Sequence, residues 1–334
     1  MSKGLLLLES PVYVIGRGNC VGQKEGQGPL GEFFDQVEKD EYCGEDSFEK
    51  AETKLQQAAL TNARLRCHKE NGDIDVIGAG DLLNQCIASA YGAAAVGAPY
   101  IGLYGACSTM ALSTINAVLC LVSGLAQTVA AVTGSHFCSA ERQFRYPLEY
   151  GGQRPPSAQW TVTGAGALIL SSKEPSDVTI RGLQVGKVVD YGISDLNNMG
   201  AAMAPAAADT LSAFFSGSGK SPADYDAIVT GDLGHIGGNI LEDIMKQNGY
   251  DISDKYNDCG KMIYSKDQDA HAGGSGCGCS ASVLTGYLLP KLERGEIHNL
   301  LFMATGALMS PLSVQQKQSI PAVAHLVEFV REVS

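Results

Sequence analysis

The stretch DIDVIGAGDL at residues 73–82 returns as DYDAIVTGDL at residues 224–233. Asp73, Asp75, Ile77, Gly80, Asp81 and Leu82 recur as Asp224, Asp226, Ile228, Gly231, Asp232 and Leu233. Each copy reads as an acidic turn, a short buried strand and a glycine-ended turn. A second echo follows in the same order. ACS at 106–108 opens the apolar run STMALSTINAVL, and GCS at 278–280 opens SASVLTGYLLPKL. A third, weaker echo pairs TGAGALILS at 163–171 with ATGALMSP at 304–311, both read as glycine-hinged terminal strands. Ordered echoes predict two homologous α/β halves, residues 1–175 and 176–334.

The periodicity between the echoes supports this class. Helical spacing of apolar residues appears over 47–69, 204–215 and 240–249. Strand-like runs appear at 74–78, 99–103, 128–133, 162–170, 226–230 and 299–305. Strands alternating with helices predict an α/β fold. The polar segment NGYDISDKYNDCGKMIYSKDQDAHAGG, between the second GDL turn and the second CS helix, is expected to be an excursion near the mouth of a site between the halves.

Composition narrows the function. The 334 residues carry a net charge of −12 with no basic stripe, which argues against nucleic-acid binding. From Leu82 to Ala140 there is no Asp, Glu, Lys or Arg. Gly, Ser, Thr, Asn and Gln break that region into pieces too short to span a bilayer, so a buried helix over a central sheet explains it better. The four-leucine run near the N-terminus is too short for a signal-peptide core. Ten cysteines without an export signal read as reduced thiols. No zinc spacing, dinucleotide fingerprint or phosphate-binding lysine loop is present, so no cofactor and no metal are expected.

The candidate site is built around Cys107 and Ser108, which open the first apolar helix, where backbone N–H groups favour an anion. Asp81 and Asp232 occupy equivalent turns that could meet over a central pocket, and the amide of Asn84 follows Asp81. His136 follows the strand at 128–133 and leads to Arg142 and Arg145, whose planar forks suit carboxylates. Asn257 lies in the polar segment, and Gly274 and Ser275 lie at its end, where glycines let an anion approach backbone N–H groups.

Two α/β halves with a cysteine at the start of a buried helix resemble the thiolase fold of thiolases and ketoacyl synthases. NNMGAAMAPAAADTL at 197–211 resembles the bridge into the second half of type III ketoacyl synthases. A more specific resemblance spans essentially the whole chain and is to the Stage V sporulation protein AD family. It is carried by GPLGEFFD, AGDLLNQ, YGACSTMALSTINA, SHFCSAERQFRYPLEYGGQRP, MGAAMAPAAADT, AGGSGCGCSA and ATGALMSPLSVQQKQSIP.

The resemblance implies a thiolase-like fold, with βαβαβαββ-type halves in five α-β-α-β-α layers. It also implies a homodimer joined near the strand at 99–103, and a peripheral protein of the spore inner membrane. Such a protein would bind dipicolinic acid or its calcium chelate and work with other stage V sporulation A proteins in its transport and in germination. Measured against the condensing enzymes, the partner residues of the cysteine find no clear equivalents. Gly231 and Asp232 stand about where the histidine would be, and Gly274 about where the asparagine would be. The expectation is therefore binding without turnover. The alternative is an acyl-thioester condensing enzyme that uses Cys107.

Overall fold

The computed structural model describes residues 3–144 and 154–332. Twelve strands occur among the described residues: β1 Leu5–Val21, β2 Val76–Gly80, β3 Tyr100–Gly102, β4 Thr128–Ser135, β5 Trp160–Thr161, β6 Gly164–Ser171, β7 Val178–Gln184, β8 Ala227–Thr230, β9 Tyr256–Asp258, β10 Gly274–Ser275, β11 Asn299–Ala307 and β12 Ala322–Arg331. Ten form one sheet in the order β3-β2-β4-β6-β1-β7-β12-β11-β8-β9. Read inward from either end, the two sets of five have the same order. In each, the outer three strands are parallel and the next two antiparallel. The long strand β1 joins them, pairing with β6 over Tyr13–Val21 and with β7 over Leu5–Leu7 and Val12–Tyr13.

The helix Thr109–Val122 touches β2 and β4 in one set and β11 and β12 in the other. Five strand spacings separate β4 from β11, so a flat sheet would hold them about 24 Å apart. One helix can reach both only because the sheet turns back around it. The helix Cys277–Val283 lies beside it and packs on β4 and β6 of the first set. Phe48–Arg66 covers the outer face of the first set, and Met199–Ser218 packs on β11 and β12 with Gly234–Gln247 against it. The result is helix, sheet, helix, sheet, helix. The core is apolar throughout, from Met110, Ile115 and Leu168 to Phe302 and Phe329.

The repeated decapeptide has a physical cause. Asp75 Oδ2 accepts from the backbone N–H groups of Gln127 (2.8 Å) and Thr128 (3.0 Å), and Asp226 Oδ2 accepts from those of His298 (2.7 Å) and Asn299 (3.0 Å). Each aspartate ties the turn before one parallel strand to the start of the next. Asp73 and Asp224 close the preceding turns by accepting from Glu70 and Ser221 N–H. Gly80 is required because a Cβ there would collide with the Leu103 carbonyl.

Three expectations change. TGAGALILS lies on β6 and ATGALMSP begins on β11, but the counterpart of β6 is β12. The two stretches look alike because each passes beneath a central helix: a Cβ at Gly166 would strike Ala281, and one at Gly306 would strike the Gly105 carbonyl. The polar segment after Gln247 is not an excursion. It supplies β9, which pairs with β8 as β3 pairs with β2, and the buried helix Cys259–Ile263. The stretch resembling a bridge is the first part of the long helix Met199–Ser218, capped by Asn198. All ten cysteines are free. Among the described residues no helix is long and apolar enough to cross a membrane.

Candidate functional site

Strand β3 ends in the turn Tyr104–Gly105, and the chain enters the short helix Ala106–Ser108 before Thr109–Val122. Ala106 has φ +49°, a left-handed conformation that a non-glycine residue holds only when its surroundings impose it. That sharp reversal lifts Cys107 into a pocket where the two halves meet. Tyr104, Leu82 and Phe144 line the first side, and Met199, Ala307 and Met309 line the second. Thr161 of β5, Ser275 of β10 and the buried Glu141 complete the polar wall. These two short strands pair with each other across the halves.

Below the pocket lies Asp232. Its carboxylate is fully buried and accepts from Gly276 N–H (2.9 Å), Thr305 Oγ1 (2.8 Å) and Ser275 Oγ (3.3 Å). The Cys107 thiol lies near enough to feel its charge. Burial pushes the carboxyl up to about 6 and drives the Cys107 thiol well above its ordinary range, with the Asp232 charge as the next cause. The helix N-terminus therefore does not make a thiolate here. Desolvation and a neighbouring anion outweigh the dipole, and Cys107 keeps its proton.

Asp232 is free to face the thiol because a different carboxylate holds its turn. Asp258, at the end of β9, accepts from Leu233 N–H (2.8 Å), Gly234 N–H (2.9 Å), Thr230 Oγ1 (2.6 Å) and Lys261 N–H (3.2 Å). In the first half Asp81 does this work itself. It accepts from Leu83 N–H, Ser89 N–H (both 2.8 Å) and Ser89 Oγ (2.6 Å), all buried. The equivalent aspartates thus have different jobs: Asp81 caps its own turn, and only Asp232 meets Cys107. Gln159 locks the floor, its Nε2 donating to the carbonyls of Asp232 (2.7 Å) and Gly274 (2.8 Å).

Of the residues singled out from the sequence, Cys107 and Ser275 line the pocket and Asp232 supports both. Ser108 is buried with its hydroxyl on the Gly105 carbonyl (2.6 Å). Asn84 is exposed, and its backbone N–H is held by Gln143. Asn257 is exposed on edge strand β9, its side chain folded onto the next N–H. Gly274 contributes a carbonyl to Gln159 and no lining surface.

His136 does not line the Cys107 pocket. Its Nδ1 accepts from Cys138 N–H (3.1 Å), so Nε2 carries the hydrogen and donates to the Glu41 carbonyl (2.7 Å), and the ring stacks on Phe48. Arg142 pairs with Glu49 on the surface. Arg145 lies outside the described residues. Arg154 does not reach the pocket either. With Lys24 it packs over Trp160, at 4.5 Å and 3.4 Å from the ring centre, facing a separate cleft. No Lys, Arg or His lines the Cys107 pocket among the described residues.

Several lining residues escaped the sequence reading. Thr161 sits one residue past the chain's single tryptophan, on a strand two residues long. Met199 was hidden in the stretch read as a bridge.

Comparison with solved structures places the fold. The chain resembles human mitochondrial 3-ketoacyl-CoA thiolase (TM-score 0.62, 14% identity, 97% of this chain and 99% of that one). It also resembles 3-oxoacyl-[acyl-carrier-protein] synthase III from Aquifex aeolicus VF5 (TM-score 0.59, 11% identity, 96% and 99%). At such identities the likeness is one of fold. Sequence comparison is closer. The family model for Stage V sporulation protein AD matches residues 2–330. A Bacillus subtilis (strain 168) protein named Stage V sporulation protein AD is 44% identical over 326 residues, covering 97% of this chain and 96% of that one. The architecture, the pocket at the junction of its halves and this whole-chain similarity converge: the chain belongs to the Stage V sporulation protein AD family.

Proposed function

We propose that the chain binds dipicolinic acid, or its calcium chelate, in the Cys107 pocket without chemical turnover. In this reading it hands the ligand to other stage V sporulation A proteins at the spore inner membrane, during uptake into the developing spore and release at germination. It would act there as a peripheral homodimer, paired through the edge strand β3, whose Tyr100 is part-exposed.

The observation that carries the non-catalytic reading is the partner of Cys107. Acyl transfer needs a thiolate and donors for the thioester oxyanion. Here the thiol is buried beside a carboxylate, and burial and that charge oppose both the thiolate and a developing oxyanion. The pocket otherwise offers what a small aromatic acid needs. Leu82, Phe144 and Met309 give apolar walls for a ring, and the Thr161, Ser275 and Cys107 side chains give polar contacts.

Titration calorimetry with dipicolinate, using pyridine monocarboxylate as comparison, tests the binding. Failure to distinguish the two ligands would reject it. Intact-mass spectrometry after incubation with acyl-CoA tests the chemistry. A stoichiometric adduct mapped to Cys107 would favour the condensing-enzyme alternative.

A further inference from the structure

A second cleft, of about 410 Å³, shares no lining residue with the Cys107 pocket. Two consecutive residues of its wall, Lys24 and Glu25, carry charges that the chain leaves unmatched. Glu25 is 1% exposed, and its Oε1 accepts from Thr163 N–H (3.0 Å) and from the Tyr264 hydroxyl. Its Oε2 has no hydrogen-bond partner in any other described residue. Oε2 lies beside Gly22 of the same wall, where a Cβ would come within 2.8 Å of it. Gly22 has φ −76°, a conformation open to any residue. Its missing side chain therefore serves to leave Oε2 uncovered. A buried carboxylate oxygen without a donor is costly unless a ligand supplies one.

Lys24 is the complementary case. Its Nζ makes no ion pair or hydrogen bond with a described residue and rests on the Trp160 ring, 3.4 Å from its centre. Phe137 stacks on the other face of that ring at 3.8 Å. Arg154 lies over the ring at 4.5 Å and is bound to Asp269. Burial, and then the Arg154 charge, lower the proton affinity of Lys24, which lacks the anion that Arg154 has. Elsewhere the wall is apolar, with Tyr42 stacked on Phe48 at 4.6 Å between ring centres. Asp40 and Glu41 also line the cleft and are exposed.

We propose that this cleft binds a small zwitterion, an α-amino acid with an apolar side chain, whose ammonium donates to Glu25 Oε2, whose carboxylate pairs with Lys24 Nζ and whose side chain lies against Tyr42 and Phe48. An α-amino acid carries its two charges one carbon apart, which suits unmatched groups on adjacent residues. A simple amine would leave Lys24 unmatched, and a simple carboxylate would leave Glu25 unmatched. A dianion would meet one lining cation and three lining acids among the described residues, Glu25, Asp40 and Glu41. The site is separate from the Cys107 pocket and does not depend on what fills that pocket.

Trp160 is the only tryptophan in the sequence, so its fluorescence reports on this cleft. The experiment is titration of the full chain with L-phenylalanine, in the absence of dipicolinate because the next residue, Thr161, lines the Cys107 pocket. A saturable change in emission is expected at millimolar concentration or below. Phenethylamine, phenylpropionate and glycine lack the carboxylate, the ammonium and the side chain respectively, and each should bind about tenfold more weakly or worse. Lys24→Met and Glu25→Gln should each weaken phenylalanine binding by a similar factor. Lys24→Met leaves the Glu25 hydrogen bonds in place, so it decides the matter even if Glu25→Gln does not fold. Three results would each overturn the proposal: no saturable change with wild type, any of the three analogues matching phenylalanine, or Lys24→Met binding phenylalanine as wild type does.

Discussion

Replacing Asp258 by alanine should destabilise the protein far more than its place at the end of an edge strand suggests. The side chain accepts four hydrogen bonds, two from buried backbone N–H groups of the Leu233–Gly234 turn. Truncation strands both donors, while the Thr230 hydroxyl keeps Tyr256 Oη as a partner at 2.7 Å. At about 1–3 kcal/mol for each unsatisfied buried group, the gross loss is about 2–6 kcal/mol. Part is offset because the variant no longer buries a carboxylate, whose desolvation pushes its protonation upward in the folded chain. The expected net loss is about 1–4 kcal/mol at pH 7. Asp258→Asn, which keeps one acceptor oxygen, should lose less. Asn257→Ala next to it, exposed on the same strand, should stay within about 0.5 kcal/mol of wild type. Urea unfolding followed by circular dichroism measures all three. An Asp258→Ala loss below about 1 kcal/mol would refute the assignment of this carboxylate as the clamp that leaves Asp232 free.

Cys107 should resist iodoacetamide at pH 8 in the native protein and react once the chain is unfolded in urea; peptide mapping by mass spectrometry reports the labelling, and ready labelling of native Cys107 would contradict a buried, protonated thiol. Glu52 is buried against Ser139, and burial followed by the Asp81 charge raises its proton affinity. Its folded value lies above its unfolded one, so its contribution to stability is complete below the unfolded range near pH 4 and declines as pH rises towards the folded value. Glu52→Gln should therefore gain stability relative to wild type on going from pH 4 to pH 7, and a constant difference by urea unfolding would count against this. Tyr100→Asp on the exposed edge of β3 should leave a 35.0 kDa species in light scattering if wild type is a homodimer; a wild-type monomer would reject the pairing.

The parts of the fold that were readable from sequence are those where one residue type has one physical task. The repeated aspartates and glycines of DIDVIGAGDL stood out because turn closure and close backbone approach tolerate few substitutes. Strands β1, β7 and β12 were not anticipated. β1 contains Glu9 and Pro11 before its buried portion, and β12 buries His325 and Glu328, so neither has a clean period. At the site, Cys107 was legible from its position. Its electrostatic partner was legible only as a turn residue, because nothing local says that Asp258, 26 residues further on, relieves Asp232 of its capping duty. His136 and Arg142 lie on a neighbouring loop and acid and not on the pocket, because a polar side chain after a strand satisfies such groups as readily as it faces a ligand.

The strand order also constrains how the chain can be made. β12 is the last strand synthesised, yet it sits between β7 and β11 in the middle of its half. β1, the first to emerge, pairs with β6 some 150 residues later. Such pairings are formed only after long loops close, which slows folding. A nascent chain carries an open sheet until β12 leaves the ribosome. Until then the faces that will enclose the Cys107 helix have no partner and the pocket has no second wall. Removal of the last dozen residues should therefore behave as loss of a central strand and not as trimming of a tail: the product would be expected to aggregate or be degraded, with no half-active form in between.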